Sequence, residues 1–139
     1  MATLTTATVS TGTLMKRGGL ALVLSIVANW GVLSLVLGLA LVAEFDALSF
    51  PPVTLLTVLG VLGATVVYAL LDRVAREPDL AFLKLAIAVL LLSFIPDIAL
   101  LWVDADATVG AVVVLMVLHV TTAFACIVAL TDQLELFPE

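Results

Sequence analysis

Four long, nearly uninterrupted apolar runs divide this chain, and they constrain its fold more than any other feature of the sequence. They cover about residues 18–43, 53–71, 80–103 and 108–130. Each run has the ~17–25 residues that an α-helix needs to cross the ~30 Å hydrocarbon core of a bilayer. Only helices and closed barrels satisfy their own backbone in lipid, and runs this long exclude barrel strands. The sequence therefore predicts an all-α, four-transmembrane-helix bundle.

Composition supports this prediction and excludes other classes of protein. Of the 139 residues, 64% are apolar and 12% are charged, about half the ~25% of charged residues in a soluble domain. The net charge of −6, from 11 acidic and 5 basic residues, argues against binding to nucleic acid, which needs clustered bases. Cys126 is the only cysteine, so an intramolecular disulfide and a cysteine-rich zinc site are excluded.

The segments between the runs predict the domain organisation. Residues 1–15 are rich in Thr, Ser and Ala, and we expect a disordered leader there, with Met15 as an alternative start. The transmembrane domain covers residues 16–131, and residues 132–139 form a short acidic tail. A cleaved signal peptide is the alternative for the first run, but the run is longer than the 7–15 apolar residues of such a peptide. Short loops between the runs predict an up-down-up-down bundle.

Residues next to the runs predict where three of the helices begin. Pro51 and Pro52 precede the second run, and Pro78 precedes the third. Proline is favoured in the first turn of a helix, because the N–H that it lacks has no partner there. Asp106 is the expected N-cap of the fourth helix.

All five basic residues fall on one side of the predicted bundle. They precede the first span or surround the second loop: Lys16, Arg17, Arg73, Arg76 and Lys84. The first and third loops contain acidic residues and no base: Glu44, Asp46, Asp104 and Asp106. The positive-inside rule then predicts a multi-pass protein of the cell membrane with both termini in the cytoplasm. The acidic loops could attract cations toward the spans or could simply be a solvated outer face.

Each span also has polar or small residues at helical spacing, and lipid should turn them toward the bundle interior. Residue counting at ~1.5 Å per residue places one polar layer near the middle of the membrane, formed by Asn29, Thr65, Ser93 and His119. Thr57 and Thr122 belong to the same stripes. Small residues four apart predict close helix contacts at Gly60/Ala64, Ser34/Gly38 and Ala125/Ala129.

Asp97 is the most informative of the intramembrane residues. A carboxylate inside a span costs about 2.5–3.5 kcal/mol on insertion scales, so this side chain must be protonated, paired or in contact with water. Two interpretations stay open: a proton- or cation-linked site near the outer mouth, or a buried polar clamp. Pro96 removes a backbone hydrogen bond beside it and predicts a helix kink.

Depth counting separates Asp97 from His119. Asp97 is expected roughly 9 Å nearer the outside than His119, so a direct bond would need a shift or a bridging water. Asn29 is the better predicted partner of His119. His119 and Cys126 lie about 10 Å apart along one helix, which is too far for a shared metal ion, and we expect no metal site, cofactor or catalytic set.

The pattern resembles an uncharacterised family of small four-span membrane proteins from haloarchaea and actinobacteria. The matching positions are Ala28-Asn29, residues 63–70 (GATVVYAL), residues 91–97 (LLSFIPD), Met116 and His119-Val120. The Pro96-Asp97 pair and His119 are its most specific marks. This resemblance implies a fold and no catalytic activity.

Two classes of function fit these residues. The first is a non-enzymatic membrane protein that binds lipid or a membrane-protein partner, since the sequence has no catalytic triad, phosphate loop or zinc signature. The second is a small proton- or cation-linked transporter or channel that uses Asp97, His119 and Asn29. Four short helices enclose little volume, so a pore would need a homo-oligomer. An intramembrane enzyme is the least favoured class.

Overall fold

The computed structural model describes residues 8–136, and four α-helices account for most of them. The helices are α1 (Thr11–Gly38), α2 (Phe50–Val74), α3 (Pro78–Val103) and α4 (Val109–Leu130), and a short 3-10 turn covers Asp46–Leu48. Their lengths run from 22 to 28 residues, and each is apolar enough to cross a membrane. Residues 8–136 contain no β-strand. The predicted all-α bundle of four spans is thus confirmed.

The four helices pack as an antiparallel bundle, as their short connections require. Helix α1 lies between α2 and α4, α3 lies on the other side between α2 and α4, and α2 and α4 also touch each other. We call the end that holds residues 8–17, 72–79 and 131–136 the basic end, because all five bases lie at or near it. The end that holds residues 39–49 and 104–108 is the acidic end.

Helix α1 begins at Thr11, well before the predicted start of the first span at residue 18. Ser10 is its N-cap, and the Ser10 hydroxyl accepts a hydrogen bond from the Thr13 amide. The Val9 amide donates to Asp72 Oδ2 at 2.8 Å, and the Val9 side chain packs against the core. Residues 9–15 therefore belong to the bundle rather than to a disordered leader, because capping and packing fix them. Residues 1–7 and 137–139 of the predicted leader and tail lie outside the described residues.

Helix α1 also ends early, at Gly38 rather than near residue 43. The chain then leaves the helix through Leu39 and Ala40, the latter with a φ of 49°. The apolar residues that follow cover the acidic end of the core: Val42, Phe45 and Leu48 pack into a cluster with Leu33 and Leu118 on α1 and α4. Hydropathy alone makes the predicted first span too long, because the apolar loop residues that cover the core continue the apolar run of the helix.

The predicted helix starts are confirmed at two positions and wrong at the third. Pro51 and Pro52 lie in the first turn of α2, and Pro78 begins α3. The N-cap of α4 is Thr108, whose hydroxyl accepts from the Ala111 amide at 3.2 Å. Asp106 instead donates its amide to the Asp104 carboxylate, so the acidic loop closes on itself one turn before the helix.

Close helix contacts occur at some of the predicted small residues and not at others. Ala125 and Ala129 are buried in α4, and Ala129 packs in one cluster with Ala21 and Tyr68. A Cβ built at Gly60 would meet no atom within 4 Å, so this glycine does not mark a tight contact. The tightest glycine is Gly18, whose added Cβ would lie 3.0 Å from the Thr65 side chain.

A buried arginine fastens the basic end of the bundle. Arg17 is 7% exposed, and its guanidinium donates to the Leu130 carbonyl and to Asp132 Oδ2. Leu130 ends α4, where the helix dipole places partial negative charge. Arg17 thus binds the start of α1 to the end of α4 through a carbonyl and a carboxylate that both favour a cation.

We expect Arg17→Ala to lower the free energy of unfolding by about 2 kcal/mol, because it removes a buried guanidinium that donates to a main-chain carbonyl and to a half-buried carboxylate. Lys16→Ala is the matched control, since Lys16 is exposed and surface charges contribute under ~1 kcal/mol. The measurement is equilibrium unfolding in mixed dodecyl maltoside and dodecyl sulfate micelles. Equal stabilities for the two variants would contradict this role of Arg17.

Candidate functional site

The intramembrane polar residues form two separate groups with different hydrogen bonding. The first group surrounds Asn29, which is 2% exposed. Asn29 Nδ2 donates to Thr57 Oγ1 and to Thr122 Oγ1, both at 2.9 Å. The Thr121 hydroxyl donates to Asn29 Oδ1. One side chain therefore joins α1, α2 and α4 near the middle of the bundle.

This Asn29 network is satisfied internally. Thr57 and Thr122 donate their hydroxyl protons to the carbonyls of Val53 and Leu118, and so accept from Asn29 with their lone pairs. Both donors of the amide and its carbonyl oxygen are in use. Since all hydrogen-bond donors of this network are used within the protein, none is left to bind a ligand. We therefore interpret the network as a clamp that fixes helix packing.

The second group is Asp97 on α3 and His119 on α4. Asp97 is 7% exposed, and its Oδ2 lies 3.0 Å from His119 Nδ1. This direct contact corrects the depth estimate, which separated the two residues and paired His119 with Asn29. The estimate paired His119 with Asn29 because it extended α1 to about residue 43, whereas α1 ends at Gly38. The predicted bounds of α3 and α4 at the acidic end match the structure to within one residue, so the estimate separated Asp97 from His119 because it assumed that these two helix ends lie at the same level.

The hydrogen bonding of His119 leaves Asp97 incompletely satisfied. His119 Nδ1 also lies 3.0 Å from the Leu115 carbonyl, which can only accept, so Nδ1 carries the proton. The ring N–H is aligned with Leu115, so among residues 8–136 the buried Oδ2 of Asp97 has His119 Nδ1 at 3.0 Å but receives no well-aligned hydrogen bond. This oxygen thus lacks the directed donors that normally accompany a buried carboxylate.

The other predicted members of the polar site lie elsewhere. Ser93 donates to its own helix at the Leu90 carbonyl and lines the same cleft as Asp97. Thr65 is not in the Asn29 layer: it lies against Gly18, nearer the basic end, and bonds to the Val61 carbonyl. Helix α3 runs unbroken through Pro96, and the kink expected there stays a prediction.

Sequence reasoning missed the threonines that bind Asn29. Thr57 and Thr122 were recognised as inward-facing, but not as its partners, and Thr121 was not recognised at all. Adjacent residues of a helix point in directions about 100° apart, so helical periodicity assigns only one of the two adjacent threonines to the inward face. The amide reaches both because Asn29 lies at the contact between α1 and α4, which only the packing reveals.

A large cleft lies between α2, α3 and α4. Its volume is about 540 Å³, within the ~300–1,000 Å³ range of ligand pockets. Exposed apolar side chains form part of its walls, including Leu59 on α2 and Val89 on α3, so the cleft opens sideways, toward lipid in a membrane. Helix α3 is correspondingly loose, since Phe82 and Asp97 are its only buried residues.

The cleft has a polar part and an apolar part. It extends along α2 from Pro52 to Val67, which is about 22 Å of helix. Asp97 and His119 lie in the half toward the acidic end, while Phe82 and Val67 close the half toward the basic end. Within residues 8–136, no three His, Cys, Asp or Glu side chains come together as a metal site.

This fold defines the class of the protein: a multi-pass membrane protein with four spanning helices and a lateral cleft. The chain belongs to the family described as "Family of unknown function (DUF6069)", whose model matches residues 9–135. No curated protein and no solved structure matches the chain. The family match includes all four helices and adds no activity.

We expect Asn29→Leu to lower the free energy of unfolding by about 1–2 kcal/mol, from three lost hydrogen bonds at ~0.6 kcal/mol each. Thr54→Val is the control, because it removes a single exposed bond from Trp30 Nε1 and should cost under ~0.6 kcal/mol. Unfolding in mixed micelles measures both. A smaller loss in Asn29→Leu than in Thr54→Val would contradict the clamp.

Proposed function

We propose that this protein is a non-enzymatic membrane protein that binds a lipid or another lipid-soluble amphiphile in the cleft between α2, α3 and α4. The observation that carries this proposal is the cleft of about 540 Å³, with a mostly apolar lining and the Asp97–His119 pair at one side. An elongated cavity with one polar part matches the two-part chemistry of an amphiphile.

Two glycines in the cleft wall support ligand binding in the cleft rather than helix packing alone. A Cβ built at Gly60 or Gly63, both in the cleft wall, would meet no atom within 4 Å. Larger residues at these positions would fill the space and close α3 onto the bundle, which ordinary packing favours. Glycine leaves room there without being required for a turn or a tight helix contact.

A second candidate function is a small oligomeric transporter or channel linked to protons or cations. The direct Asp97–His119 contact favours it, because an acid beside an imidazole inside a span is typical of proton pathways. The cleft opens sideways rather than along the bundle axis, and this favours binding from the lipid over conduction through a single copy.

We also propose that the protein lies in the cell membrane with its basic end in the cytoplasm. All five bases lie at or near that end, and the loops at the acidic end contain none. In a Cys126→Ala background, a membrane-impermeant maleimide should label Asp106→Cys in intact cells and Glu77→Cys only after lysis. The reverse labelling order would contradict this orientation.

We expect Gly63→Leu to lose at least half of the lipid adducts that native mass spectrometry detects on the detergent-purified protein, because the added side chain fills the cleft. Gly31→Leu is the matched control: Gly31 is an exposed α1 glycine whose added Cβ also meets nothing, and it lies outside the cleft. Equal adduct occupancy in wild type and both variants would refute binding in the cleft.

A further inference from the structure

The cleft has a charge preference that the apolar lining alone does not explain. The one carboxyl group that residues 8–136 place in its lining is Asp97, whose buried Oδ2 has no directed hydrogen bond. A carboxylate in this position is costly inside a bilayer. A positive group placed beside it would offset that cost, because Coulomb interactions strengthen as water is excluded.

The surroundings of Asp97 favour a cationic head group over an anionic one. His119 is the one ionisable side chain in contact with Asp97 among residues 8–136, and its Nδ1 proton is directed to Leu115. The loops at the acidic end contain four acids and no base: Glu44, Asp46, Asp104 and Asp106. Asp97 lies about 9 Å of helix from that end, so the loop charges at the nearer end of the bundle are all negative.

From these observations we infer that the cleft binds lipophilic organic cations, with the positive centre at Asp97 and the apolar body between α2 and α3. This inference rests on the proposed function, since it names the class of ligand for the same cleft. The Asn29 network takes no part, because its donors and acceptors are already paired. An anionic lipid head would be repelled by the Asp97 carboxylate and by the acidic loops, so the cleft disfavours such heads.

Tetraphenylphosphonium and tetraphenylborate provide a test, because they have nearly the same shape and opposite charge. Isothermal titration of the purified full chain in dodecyl maltoside micelles should show saturable binding of the phosphonium and none of the borate. Asp97→Asn should weaken phosphonium binding by about tenfold or more, while Asp97→Glu, which keeps the charge, should stay within about threefold of wild type. Size-exclusion profiles and circular dichroism establish that the variants are folded.

Two glycine variants separate this inference from the proposed function. Gly63→Leu should lose phosphonium binding and Gly31→Leu should keep it. If Gly63→Leu removes lipid adducts while phosphonium and borate bind wild type equally, the cleft binds lipid and the charge assignment fails. If neither lipid nor either ion depends on Gly63, the proposed function fails as well.

Other outcomes overturn the inference directly. Wild-type protein that binds neither ion contradicts it even if Asp97→Asn does not fold, because this comparison needs no variant. Unchanged phosphonium affinity in Asp97→Asn places the cation elsewhere. A dimer in native mass spectra that binds no phosphonium would show that a second copy covers the cleft.

Discussion

The bilayer offers no hydrogen bonds, and the rest of this structure depends on that constraint. Polar groups between the helices depend on partners inside the protein, because lipid supplies none. The Asn29 amide joins Thr57 and Thr122 for this reason, and Arg17 is tied to Leu130 and Asp132 at the basic end. Apolar side chains face outward in large numbers because lipid removes the usual reason to bury them. The polar contacts, rather than a large apolar core, therefore specify how the helices are arranged.

Polar contacts bind three of the helices more firmly than the fourth. Helices α1, α2 and α4 share the Asn29 network, and α1 and α4 share Arg17. Helix α3 is held through Asp97 toward the acidic end, and toward the basic end by Phe82, which packs edge-on against Tyr68 at 5.4 Å between ring centroids. Tyr68 also donates to Asp79 at the start of α3. Because its two buried side chains, Phe82 and Asp97, lie toward its ends, α3 leaves a gap against α2 along its middle, and that gap is the cleft.

Hydropathy predicted the number and approximate position of the spans because lipid imposes length and apolarity on each span separately. It misplaced both ends of α1, since the Ser10 cap and the apolar loop through Phe45 depend on neighbouring segments rather than on local composition. The same error moved the predicted polar layer, so Thr65 was chosen where Thr57 lies. The sequence predicts which polar residues face the interior of the bundle. Which of them meet depends on helix offsets of a few ångströms, which residue counting does not resolve.

Asn29 and Asp97 differ in how completely their hydrogen-bonding groups are paired. Both are buried and polar, and both lie where lipid penalises polar groups. Asn29 satisfies its donors and acceptors with three threonines, and nothing is left for a ligand. Asp97 has the imidazole of His119 beside it, a buried oxygen without a directed hydrogen bond, and a cleft next to it. Ser93 and Thr122 also line the cleft, but they donate their hydroxyl protons to their own helices. The incomplete pairing of Asp97 next to a cleft is therefore the feature on which the proposed ligand depends.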